Sequence, residues 1–336
     1  MGIDLSLIWF VIIVFATLMY IVMDGFDLGI GILFPLIKDE GERDIMVNSV
    51  APVWDGNETW LVLGGAGLFG AFPLAYAVIT DALAIPLTLM LIGLIFRGVA
   101  FEFRFKATPR HKPFWDNAFL AGSFLATFTQ GVVVGAVING FTVTGRTFSG
   151  GALDWLTAFN LFCGLGLVVT YGLLGASWLV MKSAGALQHK MRVAARTLLL
   201  GLLLAMAIVS LWTPLTHPAI ATRWFSFPNL WFFAPVPLLV LILSVGLWRT
   251  LPNPHHHTLP FVMTLGLIFL GFSGLGISIW PNIIPPDISL WQAASPPQSQ
   301  GFMLVGALLI IPVILVYTFW SYYVFRGKIE HGEGYH

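Results

Sequence analysis

The chain has 336 residues, of which 57% are hydrophobic and only 10% charged, and its mean hydropathy is +0.87. Soluble domains average roughly 25% charged residues, so most of this surface is not built to face water. Sixteen Lys and Arg balance sixteen Asp and Glu, which gives no basic bias toward nucleic acid, and the single Cys163 excludes an internal disulfide or a CxxC pair.

Apolar runs long enough to cross a bilayer core, about 20 residues as helix, occupy 5–36, 50–77, 82–103, 117–139, 153–181, 197–216, 228–248, 259–281 and 301–325. They predict an all-α integral membrane protein with nine transmembrane helices, arranged as a single polytopic domain over 1–336. The first run is too long for the h-region of a cleavable signal and lacks a small-residue cleavage site, so it reads as a retained span. Basic residues give the orientation. Loops on the N-terminal side hold only Arg146 and Arg223, whereas thirteen Lys and Arg fall on the opposite side and Arg97 lies inside a span. Positive loops stay cytoplasmic, which places the N-terminus outside and the C-terminus inside. Trp224, Trp231, Trp280 and Trp291 suit the outer interface.

The first span carries Asp24-Gly25-Phe26-Asp27-Leu28-Gly29, with two acids three residues apart on one helix face. At 1.5 Å per residue they lie about 9–14 Å below the cytoplasmic boundary. The second span opens with Trp54-Asp55-Gly56-Asn57-Glu58, and Asp55 lies about 8 Å deep from the same side. The third ends with Phe96-Arg97-Gly98-Val99-Ala100-Phe101-Glu102, which brings Arg97 to about 9 Å. Three spans thus set Asp24, Asp27, Asp55, Glu58 and Arg97 at one level. Charges inside a bilayer are expensive and mark functional sites. One guanidinium cannot pair with four carboxylates, so the set suits proton handling from the cytoplasm. Pairing with Arg97, or capping of a helix N-terminus by Asp55 or Glu58, is the plainer reading of any one acid. Asp81, Asp116, Asp154 and Asp287, at span edges or in loops, read as solvated or capping residues.

Other patterns carry less. Gly65-Ala66-Gly67-Leu68-Phe69-Gly70 matches GxGxxG without a soluble strand before it, so it reads as helix packing, as do Gly131 and Gly135. His255, His256 and His257 form a loop cluster. His111, His189, His331 and His336 also fall in loops or the tail, and His217 at a span edge, so no histidine is placed mid-membrane as a haem ligand.

The acidic stretches together, with Ala51-Pro52-Val53 before Trp54, Phe103-Arg104 after Glu102, Phe114-Trp115-Asp116 and Ser289-Leu290-Trp291, resemble subunit II of the bacterial cytochrome bd-type quinol oxidases. The short length and the Phe96–Glu102 stretch look more like the cyanide-insensitive branch. The resemblance implies two four-helix bundles plus one peripheral helix, in a pseudo-symmetric dimer with a homologous subunit I. That partner carries two b-type haems, one d-type haem and the quinol-oxidising loop, and small single-span accessory subunits are common. The complex reduces oxygen to water with ubiquinol or menaquinol in the bacterial inner membrane and builds proton-motive force, while subunit II binds no haem. By the same resemblance, Asp55 belongs to a cytoplasmic proton path and Asp27 lies in the most constant part of the pattern, with Asp24, Trp54, Asn57, Glu58 and Arg97 as further members. Gln292 departs from the pattern, because many relatives carry Asp there. A proton-coupled secondary transporter is the alternative, although transporter sites are usually built at the midplane. A purely structural scaffold, with the acids serving assembly, is another.

Overall fold

A computed structural model describes residues 4–329; His331 and His336 lie outside the described residues. α1 (Leu5–Leu33) starts at Asp4, whose side chain caps the first turn by accepting from the Leu7 amide at 3.1 Å. Asp4 also accepts from the Trp291 indole at 2.8 Å, and these donors hold its carboxyl below the usual carboxylate range. A single 3-10 turn (Phe34–Leu36) leads to a short polar helix, α2 (Glu40–Asn48). Then come α3 (Trp54–Ala71), α4 (Pro73–Ala82), α5 (Ala84–Lys106) and α6 (Lys112–Asn139). After a hairpin of β1 (Val143–Thr144) and β2 (Thr147–Phe148) follow α7 (Ala158–Lys182), α8 (Gly185–Thr216), α9 (Pro218–Phe225), α10 (Asn229–Phe233), α11 (Pro235–Thr250) and α12 (Leu259–Ile279). A second hairpin, β3 (Asn282–Ile284) with β4 (Ile288–Ser289), precedes α13 (Leu290–Ala293) and α14 (Pro297–Val324).

Eight of these segments are long and apolar enough to cross a membrane, and the bent pair α3–α4, counted as one span, brings the number to nine. The second span, expected as one run over 50–77, instead turns through 118° between Ala71 and Pro73. The cause is local. Proline has no N–H to continue the ladder and disfavours helical geometry in the residue before it, and Phe72 sits at φ −133°, ψ 63°. α8 departs the other way, beginning at Gly185 rather than 197. Lys190, Arg192 and Arg196 depress hydropathy there without interrupting helical geometry. Arg192 closes the adjoining loop by donating to the carbonyls of Leu251 (2.8 Å), Asn253 (3.0 Å) and His256 (3.0 Å). Beside it, partial burial and the cations Lys328 and Arg192 hold His257 below the ordinary imidazole range.

α1 is the central element, packed against α3, α6, α7 and, along one edge, α14. α5 lies on α6, α8 and α12 lie on α7, and α11 lies on α12. The chain thus forms two adjoining helix groups, α1–α3–α5–α6 and α7–α8–α11–α12, with α14 beside α1 and α3. Small residues make the approach close. A Cβ on Gly29 would lie 1.9 Å from the Tyr171 carbonyl oxygen, and one on Gly175 would meet Gly29 backbone at 2.6 Å. Gly131 and Gly135 do the same for α6 against α7, where an added Cβ would meet Gly164 Cα at 2.7 Å and Asn160 Cα at 2.8 Å. In the GxGxxG stretch, Gly67 approaches Ile13 and Gly70 approaches Met303, while Gly65 faces open space. Gly29→Ala must push backbone rather than a side chain. Overpacking typically costs about 1–3 kcal/mol, so thermal unfolding of the detergent-solubilised complex should fall by several degrees; an unchanged transition would refute this account of the α1–α7 contact.

The polar helix α2 is tied down by ion pairs. Arg104 Nε binds Asp116 Oδ1 at 2.6 Å and its Nη1 binds Asp44 Oδ1 at 2.6 Å; Arg43 reaches Asp116 at 2.8 Å and Lys190 reaches Glu42 at 2.6 Å. Asp116, expected as a solvated or capping residue, is instead a buried bridge between two arginines. Asp154 does fit the local reading, accepting from the Gly151 amide at 2.7 Å. Gln292 caps as well, in a reciprocal capping box with Ser289.

Candidate functional site: a buried carboxylate cluster around Arg97

The site forms where α1, α3 and α5 meet. Three residues along a helix advance the chain by about 4.5 Å and turn it through about 300°. Asp24 and Asp27 are therefore near neighbours on α1 that address different partners. Asp24 faces α5, where Arg97 Nη2 hydrogen-bonds its Oδ1. The same nitrogen reaches Glu58 Oε1 from α3 at 2.8 Å. Arg97 and Asp24 are fully shielded, while the Glu58 side chain is 30% exposed. The guanidinium lies over the Trp54 ring at 5.6 Å and near Phe101 at 5.9 Å, and those two rings stack with centroids 5.4 Å apart. Trp54 thus supports the cation through its ring face. Arg97 Nε and Nη1 have no hydrogen-bond partner among the described residues.

Asp27 is equally buried but takes no ion pair among the described residues. Its Oδ2 accepts from Asn57 Nδ2 at 2.8 Å, and its Oδ1 has no hydrogen-bond partner among the described residues. Asn57 also donates to the Met23 carbonyl at 3.3 Å. Behind Asp24, one turn earlier on α1, Tyr20 accepts from Gln130 Nε2 at 2.7 Å, and Gln130 Oε1 accepts from Tyr171 at 3.1 Å.

Of the seven residues singled out in the sequence, Asp24, Asp27, Trp54, Asn57, Glu58 and Arg97 converge. Asp55 does not join them. It occupies the first turn of α3, on the exposed side, where Arg97 and Glu102 are the charges that act on it. The Asp55 carboxylate is exposed and forms no ion pair among the described residues, and at this depth lipid cannot solvate it. Neither Asp55 nor Glu58 serves as the N-cap of α3, a position held by Val53 without a side-chain bond. Sequence reasoning missed Tyr322 of α14, which donates to Asn57 Oδ1 at 2.8 Å. Its signal was available, since Thr318, Ser321 and Tyr322 place three hydroxyls at helical spacing in an apolar span.

Chemically, the cluster holds one cation, two carboxylates bound to it, and a third carboxylate bound only by a neutral amide. Asp27 can gain or lose a proton without breaking an ion pair; Asp24 cannot.

Comparison with known proteins agrees over the whole length. The chain is 29% identical to a probable cytochrome oxidase subunit 2 of Haemophilus influenzae, with 97% of this chain and 95% of the relative covered. It is 28% identical to the cytochrome bd-I ubiquinol oxidase subunit 2 of Escherichia coli at the same coverage, and 26% identical to the cytochrome bd ubiquinol oxidase subunit 2 of Bacillus subtilis, with 97% of each covered. A chain of the bd oxidase structure from Geobacillus thermodenitrificans superposes with a TM-score of 0.73 at 18% identity, covering 94% of this chain and 98% of that one, and so has the same fold. Residues 5–325 match the family described as cytochrome bd terminal oxidase subunit II, to which this chain belongs.

Proposed function

We propose that this chain is the haem-free subunit II of a bd-type terminal quinol oxidase and that it delivers cytoplasmic protons toward oxygen reduction in subunit I. It is a multi-pass membrane protein and a subunit of a haem-containing quinol oxidase complex; membership in that family does not favour a transporter. The observation that carries the proton reading is the pairing pattern. Arg97 takes Asp24 and Glu58, which leaves Asp27 buried on a neutral amide and Asp55 exposed at the same level.

The direction of travel follows from the charge bias of the loops, which assigns the Asp55 end of α3 to the cytoplasm of a bacterial inner membrane, with the N-terminus outside and the C-terminus inside. In this reading Asp55 meets subunit I, Glu58 and Arg97 set the local field, and Asp27 is the buried carrier. Proton uptake on this side, with quinol protons released outside, builds proton-motive force. The whole chain acts as one polytopic domain, and small single-span subunits complete the complex.

The histidine placement supports assigning the b-type and d-type haems to subunit I. A haem iron usually takes a histidine that projects into an apolar cavity. His189, expected in a loop, sits instead in the second turn of α8 but is exposed; the other described histidines lie at helix ends or in loops, with His111 beside Thr108, His217 beside Thr216 and His257 beside Gln188.

Asp55→Asn tests the path in the intact complex. Oxygen consumption per haem should fall about tenfold or more, since positioned proton transfer contributes on the order of a hundredfold or more, while the haem spectrum stays unchanged. Loss of haem together with activity would favour an assembly role, and full turnover would remove Asp55 from the path.

A further inference from the structure

The last helix, α14, reaches the buried acid. Tyr322 donates its hydroxyl proton to Asn57 Oδ1, and Asn57 donates from Nδ2 to Asp27 Oδ2, each at 2.8 Å. This string points every donor toward the carboxylate. A neutral Asp27 carries a proton of its own, and the string can then reverse: the amide oxygen accepts from the acid while the amide N–H donates to the Tyr322 oxygen. Only a hydroxyl at position 322 satisfies both directions, because it can donate and accept.

Asn57 and Tyr322 also line a narrow crevice between α3 and α14 of about 10 Å³, roughly the room one water needs, whose walls include Val53, Gly56, Thr318 and Ser321. Thr318 Oγ1 is shielded and has no hydrogen-bond partner among the described residues, and the same holds for Asp27 Oδ1 beyond Asn57. Thr318, Ser321 and Tyr322 share one face of α14, so a polar seam runs along an otherwise apolar helix. Since α14 ends at Val324, Thr318 lies only about 9 Å from that end. The end is held in place: Lys182 Nζ donates to the carbonyls of Phe325 and Gly327, and the Ile329 amide donates to the Lys182 carbonyl at 2.9 Å. The Tyr322 ring packs edge-on to Phe26 and Trp178, at 6.4 and 6.1 Å between centroids.

We propose that the α3–α14 crevice is a proton access route to Asp27, and that Tyr322 is the positioning residue that lets the Asn57 amide turn as Asp27 is charged and discharged. This rests on the proton-uptake reading above. It assigns α14 a role that family membership alone does not.

Tyr322→Phe in the intact complex keeps the ring in its aromatic cluster and removes only the hydroxyl. Oxygen consumption per haem should fall about fivefold, the rate equivalent of one neutral hydrogen bond. The activity should also begin its decline with rising pH at a lower pH than in the unaltered complex, because impaired access matters most where protons are scarce. The charged groups facing Asp27 are Asp24 on α1, Glu58 on α3 and Arg97 on α5, with neutral Tyr322 from α14. None of these charges changes, so a displaced pH profile reports on access. A residue acting through Asn57 should also add little to Asn57→Leu, since coupled positions are non-additive.

An unchanged rate and profile, or full additivity with Asn57→Leu, would overturn the proposal. Should Tyr322→Phe fail to assemble, Thr318→Val decides: a shifted pH profile supports the route and an unaltered one rejects it. Asp27→Asn measured alongside separates the two levels. If Asp27→Asn is harmless, the uptake reading itself fails; if it is impaired while Tyr322→Phe matches the unaltered complex, only the α14 route falls.

Discussion

Arg97→Met is expected to remove most of the assembled complex from the membrane, and Arg97→Met combined with Asp24→Asn to restore part of it. Arg97 and Asp24 are both fully shielded, and one guanidinium nitrogen serves Asp24 and Glu58 together. Removing one member of a buried pair typically costs about 3–5 kcal/mol, because the other charge is stranded. Native stability is itself only about 5–15 kcal/mol, so the single variant loses a large share of it. Methionine keeps an unbranched apolar side chain against Trp54 and Phe101, which limits the packing loss. The double variant no longer strands the Asp24 carboxylate, although Glu58 keeps its charge at the half-exposed edge. Haem recovered per milligram of membrane and thermal unfolding of the solubilised complex read the outcome. A stable, fully assembled Arg97→Met complex would show that the cluster does not hold these three helices together.

Span existence and side-chain depth were legible because both depend on one-dimensional quantities. Hydropathy integrates over a window, and helix rise converts residue number into depth. On that basis Asp24, Asp27, Asn57, Glu58 and Arg97 fell at one level, and the fold brings them together. Rotation about the helix axis is what depth does not supply. Asp55 shares the level of Glu58, yet the 60° offset of a three-residue step turns it to the exposed side of α3. The bend at Phe72–Pro73 escaped for a related reason, since the apolar window runs on through a proline that redirects the chain. Gly25 and Gly29 form a small-xxx-small pair inside the acidic motif, but their role shows only once Tyr171 is seen against them.

Partners distant in sequence were harder still. Tyr322 lies 265 residues beyond Asn57, and no local pattern connects them. Gln130 of α6 likewise reaches Tyr20, and Tyr171 of α7 reaches Gln130. A lone hydroxyl in an apolar span usually bonds its own helix backbone, as Thr264 does to Pro260 at 2.9 Å, so sequence alone gives such residues little weight.

Asp27→Asn and Asp24→Asn should separate assembly from proton transfer although the two acids are one turn apart. Asp24 is the counter-ion of Arg97. Neutralising it removes a charge-assisted bond, worth about 1.5–3 kcal/mol, and leaves the guanidinium to Glu58 alone. Less complex should accumulate, with turnover per haem in what remains close to that of the unaltered enzyme. Asp27 holds no cation, and an amide at that position can still bond Asn57 once the side chains reorient. The Asp27→Asn complex should therefore assemble with its haems and fail in turnover, by roughly a hundredfold if every proton passes this carboxyl, the lower bound for a positioned acid–base group. The two ratios, haem per membrane protein and oxygen consumed per haem, should move in opposite patterns for the two variants. If Asp27→Asn instead loses haem and Asp24→Asn loses turnover, the roles are exchanged, and proton transfer runs through the Arg97 pair. The structure argues against that exchange, because a proton taken up by Asp24 has to displace the only cation in the cluster.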